Sequence, residues 1–395
     1  MKDATSTRRN FLRTAAAGAA GLVLGGPQIA LAGIGELVAI EEPFHGAILN
    51  RRHGEQTEDG LKVRVSGKAP LGDRVTVNGT LAAQSGTRFN AKVVLCEKET
   101  EIVAASRGRF GYHEHRVRVI WDKNSFPRYR FSIDDNSFFL RDVAQKEYKS
   151  LFDCFYLKIL KTLNTKYGAK FVLNIYYATE DGFELPQFPD RYKGEWRDNS
   201  GWLKLAFHAY MDKPDRPYQY AAPAQMMVDM EKVEEQILRF AGEQTLTPPT
   251  VIHWGMLQPT AFKPLYEHGV RVLSGGFTNR NNTWDINYFL DADRSEYVAR
   301  HDGLMDFDSG IIFSMADIVC NNTPVEKVVP TLEPLAEDPN TAEIMDLFTH
   351  EQYFWPFYTR HVPDHAERLD AAIRWCTEHG YKPVFFHEGL MGAPA

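Results

Sequence analysis

Four apolar runs in this chain end on a carboxylate or an imidazole. Residues 129–133 lead into Asp134-Asp135-Asn136, residues 203–207 into His208 with Asp212 four positions on, residues 251–252 into His253-Trp254-Gly255, and residues 347–349 into His350-Glu351. Two adjacent carboxylates facing one solvent-poor pocket repel each other unless a proton or a cation compensates. A divalent metal ion supplies that compensation, with one Asp binding the ion and the other acting as a base on a polarised water. Carboxylate and imidazole ligands suit Zn²⁺ first, and also Mn²⁺, Co²⁺ or Ni²⁺, while the lack of nearby cysteine disfavours a thiolate zinc site. The plainer alternative is that Asp134-Asp135-Asn136 is a turn capping the next helix.

Bringing four strand ends together requires parallel strands. From residue 128 onward short apolar runs alternate with helical ones: strands are predicted at 129–133, 170–176, 203–208, 250–254, 270–273, 346–349 and 383–386, and helices at 143–167, 223–241, 261–268 and 365–379. Such βα alternation implies parallel strands with right-handed crossovers, hence a barrel or a doubly wound sheet. In a barrel the chemistry sits at the C-terminal ends of the strands. Residues 276–345 fit the rhythm poorly and read as an insertion folding over the site. Residues 37–126 read differently, as short strands with turn signals, among them Asn78-Gly79, which indicates a small all-β sandwich domain.

The chain has 395 residues, 44% of them hydrophobic, so a disordered or fibrous protein is excluded. Its 45 Lys and Arg against 52 Asp and Glu, with no basic run after residue 13, argue against nucleic acid as a partner. Cys96, Cys154, Cys320 and Cys376 form no CxxC pair and allow at most two disulfides. Residues 1–32 read as an export signal: Arg8-Arg9 precede Phe11-Leu12 and an uncharged Ala/Gly-rich run ending in Ala30-Leu31-Ala32, resembling the twin-arginine type. That run is too weakly apolar for a membrane anchor, so no stable membrane insertion is expected after cleavage. Its loss removes Lys2, Arg8, Arg9, Arg13 and Asp3 and takes the formal charge from −7 to −10. A periplasmic or secreted protein meeting an extracellular polymer is the expectation.

The order of these motifs resembles the polysaccharide deacetylase superfamily, carbohydrate esterase family four and its relatives. Ser132-Ile133-Asp134-Asp135-Asn136 is similar to the family's Thr-Phe-Asp-Asp-Gly, and His208-Ala209-Tyr210-Met211-Asp212 to His-Ser/Thr-x-x-His. His253-Trp254-Gly255 stands where Arg-x-Pro-x-Gly is expected, and Phe348-Thr349-His350 resembles Leu-x-His. The resemblance covers residues 128–390 and implies an α/β fold, a distorted (β/α)7 barrel of glycoside hydrolase/deacetylase type, here behind an immunoglobulin-like module. It implies one divalent metal ion held by Asp135, His208 and Asp212, Asp134 as catalytic base, and His350 as the acid that protonates the leaving group. The substrate implied is an acetylated polysaccharide or glycan. Asn136 stands in place of Gly, Asp212 in place of His, and the arginine of the third motif is absent.

His253 is left between metal ligand, substrate contact and plain strand-end residue. Sugar rings stack on aromatic faces, so Trp254, Tyr210, Trp284, Tyr353, Phe354 and Trp355 are candidate platforms, with Glu351 a further substrate contact. The rival readings are a glycoside hydrolase pairing Asp134 with Glu351 or Asp285, and a non-catalytic glycan-binding protein. No Gly-x-Ser-x-Gly is present for a serine esterase. The sequence leaves the oligomeric state open.

Overall fold

This computed structural model describes residues 37–109 and 111–392. The predicted signal segment, residues 1–32, lies outside the described residues.

The N-terminal part consists of two five-stranded sheets. One runs Ala39–Glu42, Leu61–Lys68, Arg88–Leu95, Ala83–Ser85, with Gly54–Gln56 also beside Leu61–Lys68. The other runs Ile48–Leu49, Gly111–Trp121, Glu99–Gly108, Arg74–Val77, Thr80–Leu81. Pairing is antiparallel except where Ile48–Leu49 joins Gly111–Trp121 in parallel. Alternation does the work here: Leu61, Val63 and Val65 are buried while Lys62, Arg64 and Ser66 between them are not. Val75, Val77, Ile102, Ala104, Val117 and Val119 are buried in the second sheet, as a two-sheet core requires. Asn78 and Gly79 both have positive φ, 46° and 79°, the geometry of a tight hairpin turn between Val77 and Thr80.

Beyond residue 127 the main sheet is parallel. Leu203–Ala209, Phe171–Tyr176, Arg128–Asn136, Ile344–His350 and Ile318–Val319 lie side by side in that order, with Lys382–Pro383 also pairing with Arg128–Asn136. Every residue of Phe171–Tyr176 is buried, and all but Asp135 of Arg128–Asn136. Strands covered on both faces read as continuous apolar runs rather than alternating ones. A second sheet pairs Val272–Gly275 with Ile312–Met315 in parallel. Backbone bonds link the two sheets at both sides. Leu205 N donates to Thr245 O at 2.9 Å and Ser274 N to Thr250 O at 2.8 Å, while on the far side Ala316 N reaches Gly275 O at 3.1 Å and Asp317 N reaches Asp346 O at 2.9 Å.

Three expectations change. The helix predicted over 143–167 is two helices, Phe138–Lys146 and Phe155–Tyr167, separated at Glu147, whose left-handed φ of 49° stops the first. The strand predicted over 250–254 gives way to a 3-10 turn, His253–Gly255, because Trp254 turns the chain with φ 65°. Residues 276–345 are not all insertion. They hold the hairpin Thr278–Arg280/Thr283–Asp285, but also the parallel strand Ile312–Met315 and the helix Val325–Glu337. Pro330 and Pro334 inside that helix had masked its pattern.

The strand register positions the chemistry. Arg130 lies opposite Asp346 and, four residues on, Asp134 lies opposite His350. Arg130 Nε donates to Asp346 Oδ1 at 2.5 Å, with both side chains almost wholly buried, so a slip of this register would strand two charges. The four cysteines are unpaired, and among the described residues no helix is long and apolar enough to cross a membrane.

Candidate metal centre and active site

Alternation along a strand would send Asp134 and Asp135 to opposite faces. Two features break it. Asp135 adopts φ 59°, and the pairing of Arg128–Asn136 with Phe171–Tyr176 shifts register between Ile133 and Asn136. Aspartate tolerates the left-handed region better than most residues, and strain of this kind concentrates at functional sites. Asn136 fastens the irregularity: its Nδ2 donates to Ile133 O at 2.6 Å and Asn174 O at 3.1 Å, and its Oδ1 accepts from Tyr156 OH at 2.8 Å. Asn136 thus contributes side-chain bonds that a glycine could not.

Around the turned-in pair, Asp135, His208 and His253 bring one ligand atom each within 4.8 Å of one another. His208 Nε2 lies 3.1 Å from Asp135 Oδ1, and His253 Nδ1 lies 3.0 Å from His208 Nε2 and 3.6 Å from Asp135 Oδ1. The Nδ1–H of His208 donates to Val251 O at 3.1 Å, which leaves Nε2 as the lone-pair donor. Gln352 Nε2 donates to Asp135 Oδ2 at 2.6 Å, so Oδ1 is the oxygen of that carboxylate that faces His208 and His253. Two imidazoles and a carboxylate, two of the three buried, are a donor set that fits Zn²⁺ or a similar divalent ion.

Charge in this pocket is divided unequally. Burial drives the Asp134 carboxyl above its ordinary range, with His208 and His350 opposing. Burial would also raise Asp135, but the bond from His208 and the charges of His350 and His253 outweigh it and hold Asp135 well below the ordinary range. Burial disfavours imidazolium at His208, yet Asp134 and Asp135 overcome this and raise it, while burial and His208 together push His253 down to about 3.

Asp134 is held separately. Asn174 Nδ2 donates to Asp134 Oδ1 at 2.7 Å and lies 2.9 Å from Ser132 Oγ and 2.6 Å from Thr250 Oγ1, all in the buried interior. Asp134 Oδ2 remains, 3.7 Å from His208 Nε2. On the neighbouring strand His350 Nδ1–H donates to Asn321 Oδ1 at 3.0 Å, which aims Nε2 at the pocket, 4.0 Å from Asp135 Oδ2.

The remaining candidates divide by place. Asp212 stands at the mouth, 47% exposed, 3.7 Å from His253 Nε2 and outside the three-residue group. His253, not Asp212, lies in the group whose ligand atoms come together. Trp254 is exposed at the rim with Arg216 stacked 4.8 Å from its ring, and Arg216 is in turn held by Asp285 through two 2.7 Å bonds. Tyr353 is half-buried beside His350, ring centroids 5.9 Å apart, and Tyr210 stacks on Tyr177. Trp284 is half-buried, whereas Phe354 and Trp355 are core residues.

Glu351 is not a substrate contact in this fold. It is wholly buried, and its carboxylate accepts from the backbone N–H of Ser137, Phe138 and Phe139 and from Trp355 Nε1 at 2.6–3.0 Å. It caps the helix that starts at Phe138, tying that N-terminus to the end of the Ile344–His350 strand. Glu351→Ala leaves four buried donors without their acceptor, and at ~1–3 kcal/mol for each unsatisfied group, partly recovered by water, the expected loss is about 3–5 kcal/mol. Urea unfolding of the purified variant reads this directly, and an unchanged midpoint would contradict it.

Tyr176, Asn174, Thr250, Gln352 and Asn321 were not singled out in the sequence. Tyr176 ends a buried strand as His208 does, and Asn174 interrupts the apolar run of that same strand, so both carried a signal. Asn321 lies in the stretch taken for an insertion.

No family model matches this chain, and no curated protein does. Solved structures similar to it include a peptidoglycan N-acetylglucosamine deacetylase, with TM-score 0.39 and 12% identity over 67% of this chain and 87% of that one. A family 4 acetyl xylan esterase from Clostridium thermocellum in complex with a cobalt ion matches with TM-score 0.34 and 14% identity, over 67% of this chain and 92% of that one. A 4-alpha-glucanotransferase from Thermococcus litoralis matches with TM-score 0.41 and 14% identity, over 67% and 40%. The chemistry of this chain rests on its own side chains, an Asp-His-His group with a second aspartate and a third imidazole alongside it.

Proposed function

We propose that this chain is an exported, metal-dependent hydrolase that removes acetyl groups from a polysaccharide or other glycan. The observation that carries the reading is the left-handed turn at Asp135, which brings two adjacent carboxylates into one pocket against His208 and His253. A structural turn has no need of two imidazoles there. We further propose that the strands close into a distorted (β/α)7 barrel, supported by the backbone bonds on both sides of the two sheets. An immunoglobulin-like module in front, and export by a twin-arginine signal, belong to the same proposal.

Asp135, His208 and His253 would hold the ion, with Asp212 close enough to orient His253. When bound, a divalent ion acts there as a Lewis acid toward the scissile carbonyl. Asp134 takes the proton of the attacking water through Oδ2, while Asn174 fixes its other oxygen and the raised proton affinity suits it to general-base work. His350, aimed by Asn321, returns a proton to the leaving amine or alcohol. Trp254 and Tyr353 flank the opening and offer ring faces to a sugar.

The rival pairing for glycosidic cleavage loses its partners. Glu351 is spent on four internal donors, and Asp285 is locked on Arg216. Acetylated xylan and N-acetylated chitooligosaccharides, incubated with the protein with and without chelator, separate the readings. The expected products are free acetate, lost on chelation and restored by Zn²⁺ or Co²⁺, and no new reducing ends. Reducing ends without acetate would overturn the deacetylase reading.

A further inference from the structure

We infer that the phenol of Tyr176 is a fourth protein ligand of the metal, beside Asp135, His208 and His253. The inference rests on the metal-dependent reading above and deepens it.

Tyr176 ends the buried Phe171–Tyr176 strand and is only 3% exposed. Its hydroxyl donates to Asp135 Oδ1, the same oxygen that faces both imidazoles, and lies 3.1 Å from His253 Nδ1. Donors about 2.0–2.1 Å from a tetrahedral ion stand ~3.3 Å from one another. Within the three-residue group the separations bracket that value, at 3.1 Å for His208 to Asp135, 3.0 Å for His253 to His208 and 3.6 Å for His253 to Asp135; Tyr176 stands 3.1 Å from His253 and closer than that to Asp135, with which it shares a proton until an ion parts them. Asp212 does not make such a fourth corner. Its Oδ1 is 3.7 Å from His253 Nε2 and 3.5 Å from the Tyr176 hydroxyl, and its side chain is half in solvent.

The pattern of donors and acceptors points the same way. With His208 Nδ1–H spent on Val251 O, the inner face of the group holds the His208 Nε2 lone pair and the Asp135 carboxylate, and the Tyr176 hydroxyl is pressed against them. One cation at the common centre replaces these contacts, and the phenolic proton leaves to solvent as the oxygen binds. Two imidazoles, a carboxylate and a phenolate then balance a divalent charge.

Cu²⁺ is a suitable probe, because a phenolate bound to it gives a visible charge-transfer band that imidazole and carboxylate do not. The full chain, stripped with chelator and titrated with Cu²⁺, is expected to develop the band at one equivalent. Tyr353→Phe retains it, and Tyr176→Phe loses it. Equilibrium dialysis should show affinity for Zn²⁺ falling in Tyr176→Phe by more than the about 10–100-fold that losing an outer partner of a ligand costs. A measurement without any variant accompanies these: Zn²⁺ added to the stripped wild type raises the ultraviolet absorbance of one ionised tyrosine. Stoichiometric Cu²⁺ without the band, or a band that survives in Tyr176→Phe, overturns the inference and leaves the metal centre standing. Failure of either ion to bind overturns both.

Discussion

Asp134→Asn is expected to lower the rate of acetate release by about 10²–10⁴-fold, the usual contribution of a positioned general base, while leaving metal content and KM near wild type. The substitution is nearly isosteric, and Asn174 can still donate to the remaining carbonyl oxygen as it does to Asp134 Oδ1 at 2.7 Å. What vanishes is the basic lone pair on Oδ2, the oxygen facing the pocket. Because Asp134 belongs to the buried Ser132–Asn174–Thr250 network rather than to the three-residue group, the variant should unfold at the wild-type denaturant concentration. A drop in metal content equal to the drop in rate would instead make Asp134 a ligand.

Asp135→Ala has the larger reach. It removes the carboxylate that touches both imidazoles and deprives Gln352 Nε2 and the Tyr176 hydroxyl of their acceptor. It also places alanine at φ 59°, at a cost of about 1–2 kcal/mol. Asp135→Asn keeps the turn, since asparagine tolerates this backbone, and isolates the loss of the anionic ligand. Both variants are expected to purify without metal and to release no acetate above background. Asp135→Asn should in addition keep its fold by circular dichroism. If it binds one equivalent of zinc as tightly as wild type, the assignment of this aspartate is overturned.

Much of this was legible in the sequence, for a physical reason. Strands buried on both faces are uninterrupted apolar runs, so whatever polar group ends them stands out, and Asp134, Asp135, His208 and His350 stood out in this way. The register was legible only afterwards, from the Arg130–Asp346 pair that aligns the strands carrying Asp134 and His350. Glu351 shows where the logic is weakest. A carboxylate at a strand end looks the same whether it faces a pocket or a helix N-terminus, and the direction is set by the chain turn after His350. His253 rather than Asp212 stands beside Asp135 and His208 for a similar reason: the chain turns at Trp254, φ 65°, directly after His253, and nothing local in His253-Trp254-Gly255 announces a non-glycine residue in that conformation. Tyr176 was overlooked because a tyrosine closing an apolar strand reads as core. Residues 276–345 hid a parallel strand because acidic and small residues precede it and Asn321, Asn322 and Pro324 follow it.

The metal content of the native protein is the most direct test of an Asp135-His208-His253 metal centre. Elemental analysis of the full chain, purified without added metal or chelator, is expected to show close to one divalent ion per chain, lost together with acetate release in Asp135→Asn. Wild-type protein that carries no stoichiometric ion, binds none on addition and still releases acetate would contradict it.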